Sequence, residues 1–123
     1  MTWTTVLAVA AGGATGAVLR YALMMLAGGT LLFPWATLGI NIAGSFCIGA
    51  LWGWFADTSW FQAWGQPLLV TGMLGGFTTF SAFSIETINL FNDKGLLFAG
   101  VYAGLSVAGC IGAAALALRL FSS

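Results

Sequence analysis

Hydroxyl and amide side chains recur at intervals of one helical turn inside an apolar segment in the first half of this sequence. Thr37, Asn41 and Ser45 are spaced i, i+4 and i+8, which places them on one face of a helix. A lone Ser or Thr is ordinarily satisfied by a neighbouring helix or by its own backbone. Asn41 is harder to satisfy by chance, because an amide has two donors and two acceptor lone pairs. The stripe therefore favours the lining of a narrow path.

A second stripe lies near the C-terminus, where Ser106 has Tyr102 one turn earlier and Cys110 one turn later. These groups supply hydrogen-bond donors but no ring of acids that would attract cations. Cys47 and Cys110 both fall within apolar segments, where a small buried core residue is the ordinary interpretation. A disulfide between them would require two helices to bring them together.

The segment 72–86, GMLGGFTTFSAFSIE, combines helix-weakening glycines and threonines with aromatic rings. We expect an interruption of the helix within GMLGGFTTF, which would free main-chain carbonyls and amides. In a membrane such groups are tolerated only where protein or a bound ion satisfies them. Freed carbonyls suit an alkali cation, whereas the N-terminus of a half-helix suits an anion. The sequence leaves open whether the interruption binds a cation or an anion.

Phe80 and Phe83 follow at i and i+3 and so share a helical face. Ring edges could partly solvate a small anion, whereas ring faces would suit a cation. Spacing alone fits two core phenylalanines better. Two charges also lie inside apolar segments, Arg20 and Glu86. Both side chains could extend to the membrane interface. Arg20 could instead donate hydrogen bonds to helix-end carbonyls or to neighbouring side chains.

Composition requires lipid around these elements. The 123 residues are 60% hydrophobic and 5% charged, with a mean hydropathy of +1.01, whereas a soluble domain carries about a quarter charged residues. Zero net charge and the lack of a basic cluster argue against nucleic acid as a partner. Without His there is no His-based zinc site or Ser-His-Asp triad, and no phosphate-binding loop is present, so we expect no enzyme.

The hydropathy pattern predicts an all-α integral membrane protein with a single domain over residues 1–123. Four segments reach the roughly 20 apolar residues that a span needs, namely Trp3–Leu26, Pro34–Ala56, Trp64–Phe91 and Gly95–Phe121. The N-terminus lacks the features of a cleaved secretory signal, so we interpret it as a mature first span. Short connections, AGGTLLF, DTSWFQA and NDK, make successive spans antiparallel neighbours. Each span also holds a GxxxG pair that favours close packing: Gly12/Gly16, Gly49/Gly53, Gly72/Gly76 and Gly100/Gly104.

Positive charge gives almost no signal for orientation. One side of the membrane would carry Arg119, and the other Lys94 with Arg20 near the end of the first span. Such a chain could insert both ways, and two copies could then pair antiparallel. The alternative is a weak bias that other factors resolve.

Three motifs resemble the Fluc, or CrcB, family of fluoride channels: GGATGAVLRY at 12–21, TLGINIAGSFCIG at 37–49 and GMLGGFTTFSAFS at 72–84. The resemblance covers nearly the whole chain. It implies an antiparallel, dual-topology homodimer in the bacterial inner membrane, with a broken third helix and two pores. Such a dimer exports fluoride passively and confers fluoride resistance.

The resemblance also implies a role for individual residues. The fluoride path would comprise Asn41, Phe80, Phe83, Ser106, Thr37, Tyr102 and Cys110, with Thr79 and Ser81 as polar neighbours in the break. A structural Na⁺ at the dimer interface would be held by the carbonyls of Gly75 and Thr78 from both subunits. Arg20 and Glu86 would be the structural charges. Cys110 departs from the family pattern, because many relatives have Ser or Thr there and a thiol is a weak donor.

Two other classes have the right size. A small four-helix multidrug transporter needs a titratable acid in an early span, but the first span has Arg20 and no acid, and the second has only Asp57 at its end. A membrane subunit without transport activity is the remaining alternative. Rapid, uncoupled fluoride efflux from proteoliposomes, selective over chloride, would distinguish a channel from both.

Replacing Asn41 by Asp puts a negative charge beside the predicted path, and we expect it to abolish fluoride flux. A fluoride-selective electrode measures release from proteoliposomes. Flux near the wild-type rate would mean that Asn41 is not a pore ligand.

Overall fold

The protein is described by a computed structural model over residues 1–28 and 33–122, and all regular structure within those ranges is helical. The elements are α1 (Trp3–Leu26), α2 (Trp35–Phe55), α3 (Phe61–Leu74), α4 (Gly75–Phe77), α5 (Phe80–Lys94) and α6 (Leu96–Phe121). Four helical runs are long and apolar enough to cross a membrane: α1, α2, the run Phe61–Lys94 and α6. This confirms the prediction of an all-helical chain with four candidate spans.

The first two helices begin where the local sequence favours it. At α1, Thr2 accepts a hydrogen bond from the Thr5 amide, and the Thr5 hydroxyl in turn accepts from the Thr2 amide. This reciprocal cap satisfies two amides that would otherwise lack partners. Pro34 directly precedes α2 rather than occupying its first turn. Residues 29–32, most of the predicted first connection, lie outside the described ranges.

The third span is longer than the predicted Trp64–Phe91. It begins at Phe61, whose side chain is fully buried and packs edge-on against Trp52, with ring centroids 5.7 Å apart. Its first part, α3, has the wide turns of a π-helix and contains Pro67. Proline lacks an N–H and its ring collides with the carbonyl four residues earlier, and a wider turn relieves that collision.

The predicted third connection, NDK, is helical instead. α5 continues to Lys94, and Gly95 alone joins it to α6, with a φ of 93° that favours glycine.

Two of the predicted GxxxG pairs face each other where α1 meets the third span. A Cβ on Gly16 would overlap the Met73 carbonyl oxygen, and one on Gly76 would come within 2.5 Å of the Gly13 carbonyl oxygen. The pair Gly49/Gly53 lies against the backbone of α6. At Gly100 and Gly104, by contrast, a Cβ would meet no atom within 4 Å among the residues that the structure describes. The motif therefore marks close packing in three spans and an open face in the fourth.

Replacing Gly16 by Ala should destabilise the protein, because the new methyl group meets backbone that cannot rotate away. Overpacking of this kind costs about 1–3 kcal/mol, measurable as a lower midpoint of thermal unfolding in detergent. Gly100→Ala is the matched control, because its methyl group enters open space and alanine is the better helix former. Equal destabilisation by both substitutions would contradict the assignment of close packing to Gly16.

Candidate functional site

Two consecutive residues of the third span, Thr78 and Thr79, have extended backbone between the helical segments α4 and α5. Thr78 has ψ of 156°, and Thr79 has φ of −149° and ψ of 117°. Gly75 itself is helical, with φ of −61° and ψ of −38°. The extended residues therefore lie at the C-terminal end of the predicted GMLGGFTTF segment. Ser81, predicted to share the interruption, lies instead in the first turn of α5.

Both ends of the Asn41 amide, on α2, bond to the main chain of Thr79. The Thr79 N–H donates to Asn41 Oδ1 at 2.8 Å, and Asn41 Nδ2 donates to the Thr79 carbonyl at 3.0 Å. One N–H of Nδ2 remains after these two bonds. The sequence indicated that the hydrogen-bonding groups of Asn41 need specific partners. It could not reveal that the main chain of Thr79, in another span, supplies two of them.

The side chains of the two threonines complete the local bonding. The Thr78 hydroxyl donates to the Leu74 carbonyl at 2.8 Å, and the Ala82 N–H donates to Thr79 Oγ1 at 3.1 Å. Thr79 thus acts as the N-cap of α5. Its hydroxyl also lies 3.2 Å from that of Ser81.

Leaving the helix releases carbonyls from their usual donors. In a continuous helix the N–H of Thr79 would serve the Gly75 carbonyl and that of Ala82 the Thr78 carbonyl, but these amides donate to Asn41 and to Thr79 Oγ1. The Gly76 carbonyl accepts instead from Arg20 Nε at 3.0 Å. Of the two interpretations of Arg20, the structure shows donation to a helix-end carbonyl.

A cavity of about 440 Å³ opens beside the extended residues. Its polar lining comes from three spans and consists of Asn41, Ser45, Thr78, Thr79, Ser106 and Cys110. Phe80 and Phe83 add aromatic walls, and the remainder is aliphatic or glycine. The structure thus brings the α2 stripe, the end of the third span and part of the α6 stripe to one place.

Ser106 is the unusual member of this lining. Its side chain is 5% exposed, and its hydroxyl has no hydrogen-bond partner within residues 1–28 and 33–122. A buried hydroxyl without a partner costs about 1–3 kcal/mol, so a natural structure rarely leaves one without a purpose. The hydroxyl of Ser106 is therefore a donor in reserve for something that enters the cavity.

The two phenylalanines differ in their surroundings. Their ring centroids are 5.3 Å apart with the planes inclined at 51°, so neither ring stacks flat on the other. Phe83 also lies 5.3 Å from the ring of Tyr102, whereas Phe80 is 77% exposed. Phe80 therefore extends beyond the surface of the single chain.

A second polar group surrounds Glu86. Thr37 Oγ1 donates to Glu86 Oε1 at 2.8 Å, and the Tyr102 hydroxyl donates to Oε2 at 3.0 Å. Thr37 is 1% exposed and Tyr102 is fully buried. Helical periodicity placed these residues on the two stripes, but it gave no sign that they meet at one carboxylate. Thr37 and Glu86 line a separate cavity of about 340 Å³, to which Asn89 and Asp93 also contribute. The sequence analysis predicted neither this cavity nor a role for Asn89 and Asp93.

These features define a class: a membrane protein of four helical spans with a polar and aromatic cavity beside two extended residues of the third span. Residues 7–118 match the sequence model of the family described as CrcB-like protein, Camphor Resistance (CrcB). The chain belongs to the CrcB family, and the resemblance proposed from its motifs is confirmed. It is a multi-pass membrane protein.

Curated relatives extend over most of the chain. A protein of Nitrobacter hamburgensis named fluoride-specific ion channel FluC 1 is 44% identical, with 92% of this chain and 91% of that protein aligned. A protein of Hyphomonas neptunium named fluoride-specific ion channel FluC is also 44% identical, over 94% and 91% of the two chains. One of the same name from Roseobacter denitrificans is 47% identical over 80% of each chain.

Replacing Asn41 by Ala should release both ends of the Thr79 peptide, so we expect faster hydrogen exchange at the Thr79 amide. Exchange followed by mass spectrometry on peptides that cover residues 77–82 measures this directly, without reference to transport. Ser45→Ala is the control, because Ser45 lies one turn further along the same stripe and lines the cavity without bonding to Thr79. Unchanged exchange in Asn41→Ala would show that the clamp does not protect this peptide.

Proposed function

We propose that this chain forms a fluoride-selective channel. The names of its relatives support this, as does the content of the cavity. The observation that carries the proposal is the buried hydroxyl of Ser106, which lacks a partner in the described part of the chain and borders a cavity without Lys or Arg in its lining. Such a cavity offers hydrogen bonds to an anion without a fixed charge to trap it.

Fluoride is small and strongly hydrated, so a selective path must replace its water with donors held in place. Ser106 supplies one such donor, and the remaining N–H of Asn41 Nδ2 supplies another at the same cavity. Both are neutral and therefore bind an anion more weakly than a cationic side chain would. Successive weak sites permit release as well as entry, which conduction requires.

The aromatic rings extend this path. Phe80 and Phe83 border the cavity with their ring planes inclined at 51° to each other. In the proposed path their ring edges, which carry partial positive charge, would face the anion. Cys110 lies further along the same lining with a weak donor. Thr37 and Tyr102 accompany Glu86 beyond Phe83, where their hydroxyls already donate to the carboxylate. In the proposed path these two hydroxyls can donate to fluoride only by giving up their hydrogen bonds to Glu86.

The proposal includes an antiparallel homodimer with two pores. Phe80 is exposed on the single chain although it borders the cavity, and a second copy would cover it and close the open side of the path. The three Lys and Arg residues of the sequence give little preference for either orientation in the membrane. Each subunit would then complete one pore.

A structural Na⁺ between the two subunits fits the residues present. The amides that would bond to the Gly75 and Thr78 carbonyls in a continuous helix donate to side chains instead. Carbonyl oxygens are hard ligands suited to an alkali cation. Gly76, between them, is already served by Arg20. When bound, Na⁺ would supply the positive charge that balances the released carbonyl oxygens. Two carbonyls from each subunit would hold it.

In the cell, we place the protein in the bacterial inner membrane as a passive exporter of cytoplasmic fluoride. HF enters in acid surroundings and dissociates inside, so fluoride accumulates unless an anion path lets it leave. Apart from the structural Na⁺, that task needs no organic cofactor, energy source or chemical step. The expected result is resistance to fluoride.

Ser106→Ala removes the reserve donor and should lower fluoride flux. A hydrogen bond to a charged group is worth about 1.5–3 kcal/mol, so we expect a fall of about tenfold or more. Fluoride efflux from proteoliposomes is recorded with an ion-selective electrode, and chloride efflux is recorded in parallel. Ser122→Ala is the matched control at the far end of α6, where the serine hydroxyl donates to its own helix. Wild-type protein that releases chloride as fast as fluoride, or releases neither, would refute the proposed function.

A further inference from the structure

The two cysteines of the chain occupy different surroundings. Cys110 lines the cavity that also contains Ser106 and Asn41, and its side chain is partly buried. Cys47 lies in α2 on an exposed face and does not border that cavity. Neither thiol forms a disulfide within the described ranges.

The cavity itself indicates that a ligand enters beside Cys110. Ser106 precedes Cys110 by one helical turn, about 6 Å along the same face. The Ser106 residue is 5% exposed, and its buried hydroxyl has no partner in the part of the chain that the structure describes. The volume of about 440 Å³ exceeds that of several water molecules. Because Ser106 and Cys110 line the same cavity, a reagent that enters it comes close to the Cys110 sulfur.

The chemistry of that ligand follows from the sulfur. A thiol is a weak partner for fluoride but a strong one for thiophilic d¹⁰ metal ions, which prefer soft ligands. The remaining lining is apolar apart from hydroxyls and one amide. A neutral, linear compound such as mercuric chloride suits this environment better than a hydrated cation, because it brings no net charge into the apolar cavity.

We propose that Cys110 is a binding and modification site for thiophilic metal reagents inside the conduction cavity. Its effect on flux rests on the proposed fluoride function, but occupation of the site does not. The S–H bond breaks and an S–Hg bond forms as one chloride leaves mercuric chloride. The products are the Cys110–S–HgCl adduct, H⁺ and Cl⁻. Mercury remains divalent throughout, so no oxidant or reductant is required.

The test uses the full chain in proteoliposomes with Cys47→Ser as background, which leaves Cys110 as the single thiol. Mercuric chloride is added, and intact-protein mass spectrometry measures the adduct while an electrode records fluoride efflux. Cys110→Ser, which keeps only Cys47, is the counterpart. Efflux of each variant is expressed relative to its own rate before the reagent. If Cys47→Ser fails to fold, Cys47→Ala takes its place.

We expect one mercury per Cys47→Ser chain and a fall in efflux of about tenfold, because the adduct would occupy the cavity that the proposed path crosses. Dithiothreitol should remove the adduct and restore efflux. In Cys110→Ser the reagent should leave efflux unchanged even where Cys47 is labelled.

Three results would overturn the proposal. The first is folded protein that stays unlabelled at Cys110 while urea-unfolded protein is labelled. The second is full labelling of Cys110 with efflux unaltered, and the third is equal inhibition in Cys110→Ser. Absence of fluoride efflux before any reagent is added would count against the fluoride function instead, and the mass measurement would still decide whether the cavity admits the metal.

Discussion

Main-chain hydrogen bonding inside lipid is the constraint on which the rest of this structure depends. Hydrocarbon offers no partner to a peptide group, so leaving the helix at Thr78 and Thr79 obliges side chains to replace the lost bonds. Asn41 bonds both ends of the Thr79 peptide, Arg20 serves the Gly76 carbonyl, and Thr79 caps the helix that follows. Three spans are thereby joined at one level of the membrane. The cavity lies beside these bonds, and Asn41, Thr78 and Thr79 are part of its lining.

The division of roles among the polar residues follows from that constraint. Asn41 and Arg20 are committed mostly to the backbone, whereas Ser106 is committed to nothing in the described residues. Glu86 bonds to side chains rather than to the backbone, because the buried hydroxyls of Thr37 and Tyr102 donate to its carboxylate. A polar residue in a membrane span thus either bonds within the chain or keeps its hydrogen-bonding capacity for another partner. The inventory of hydrogen bonds distinguishes the two roles where residue type does not.

Much of the fold could be predicted from the sequence, because hydropathy and helical period are local properties. They predicted four spans, with α1 at the observed bounds of Trp3–Leu26, and they placed the Asn41 and Ser106 stripes on helical faces. Properties that depend on a neighbouring span were not predictable. The position of Ser81 inside α5 is one example. The open surroundings of Gly100 and Gly104 are another, since the same glycine spacing occurs at close helix contacts and on exposed faces. The union of Thr37, Glu86 and Tyr102 is another, because their separation along the chain hides it.

The single residue Gly95 joins two helices that each line part of the cavity: α5 with its phenylalanines, and α6 with Ser106 and Cys110. From Gly95 to Phe80 the arm of α5 is about 22 Å long, at 1.5 Å per residue. Rotation of that arm by about 5° would shift the rings by about 2 Å, which approaches the diameter of a water molecule. The angle between the two helices is therefore set at Gly95, about 22 Å from the aromatic rings that line the cavity. A small change in the backbone angles of this one glycine would thus be magnified at the aromatic side of the cavity.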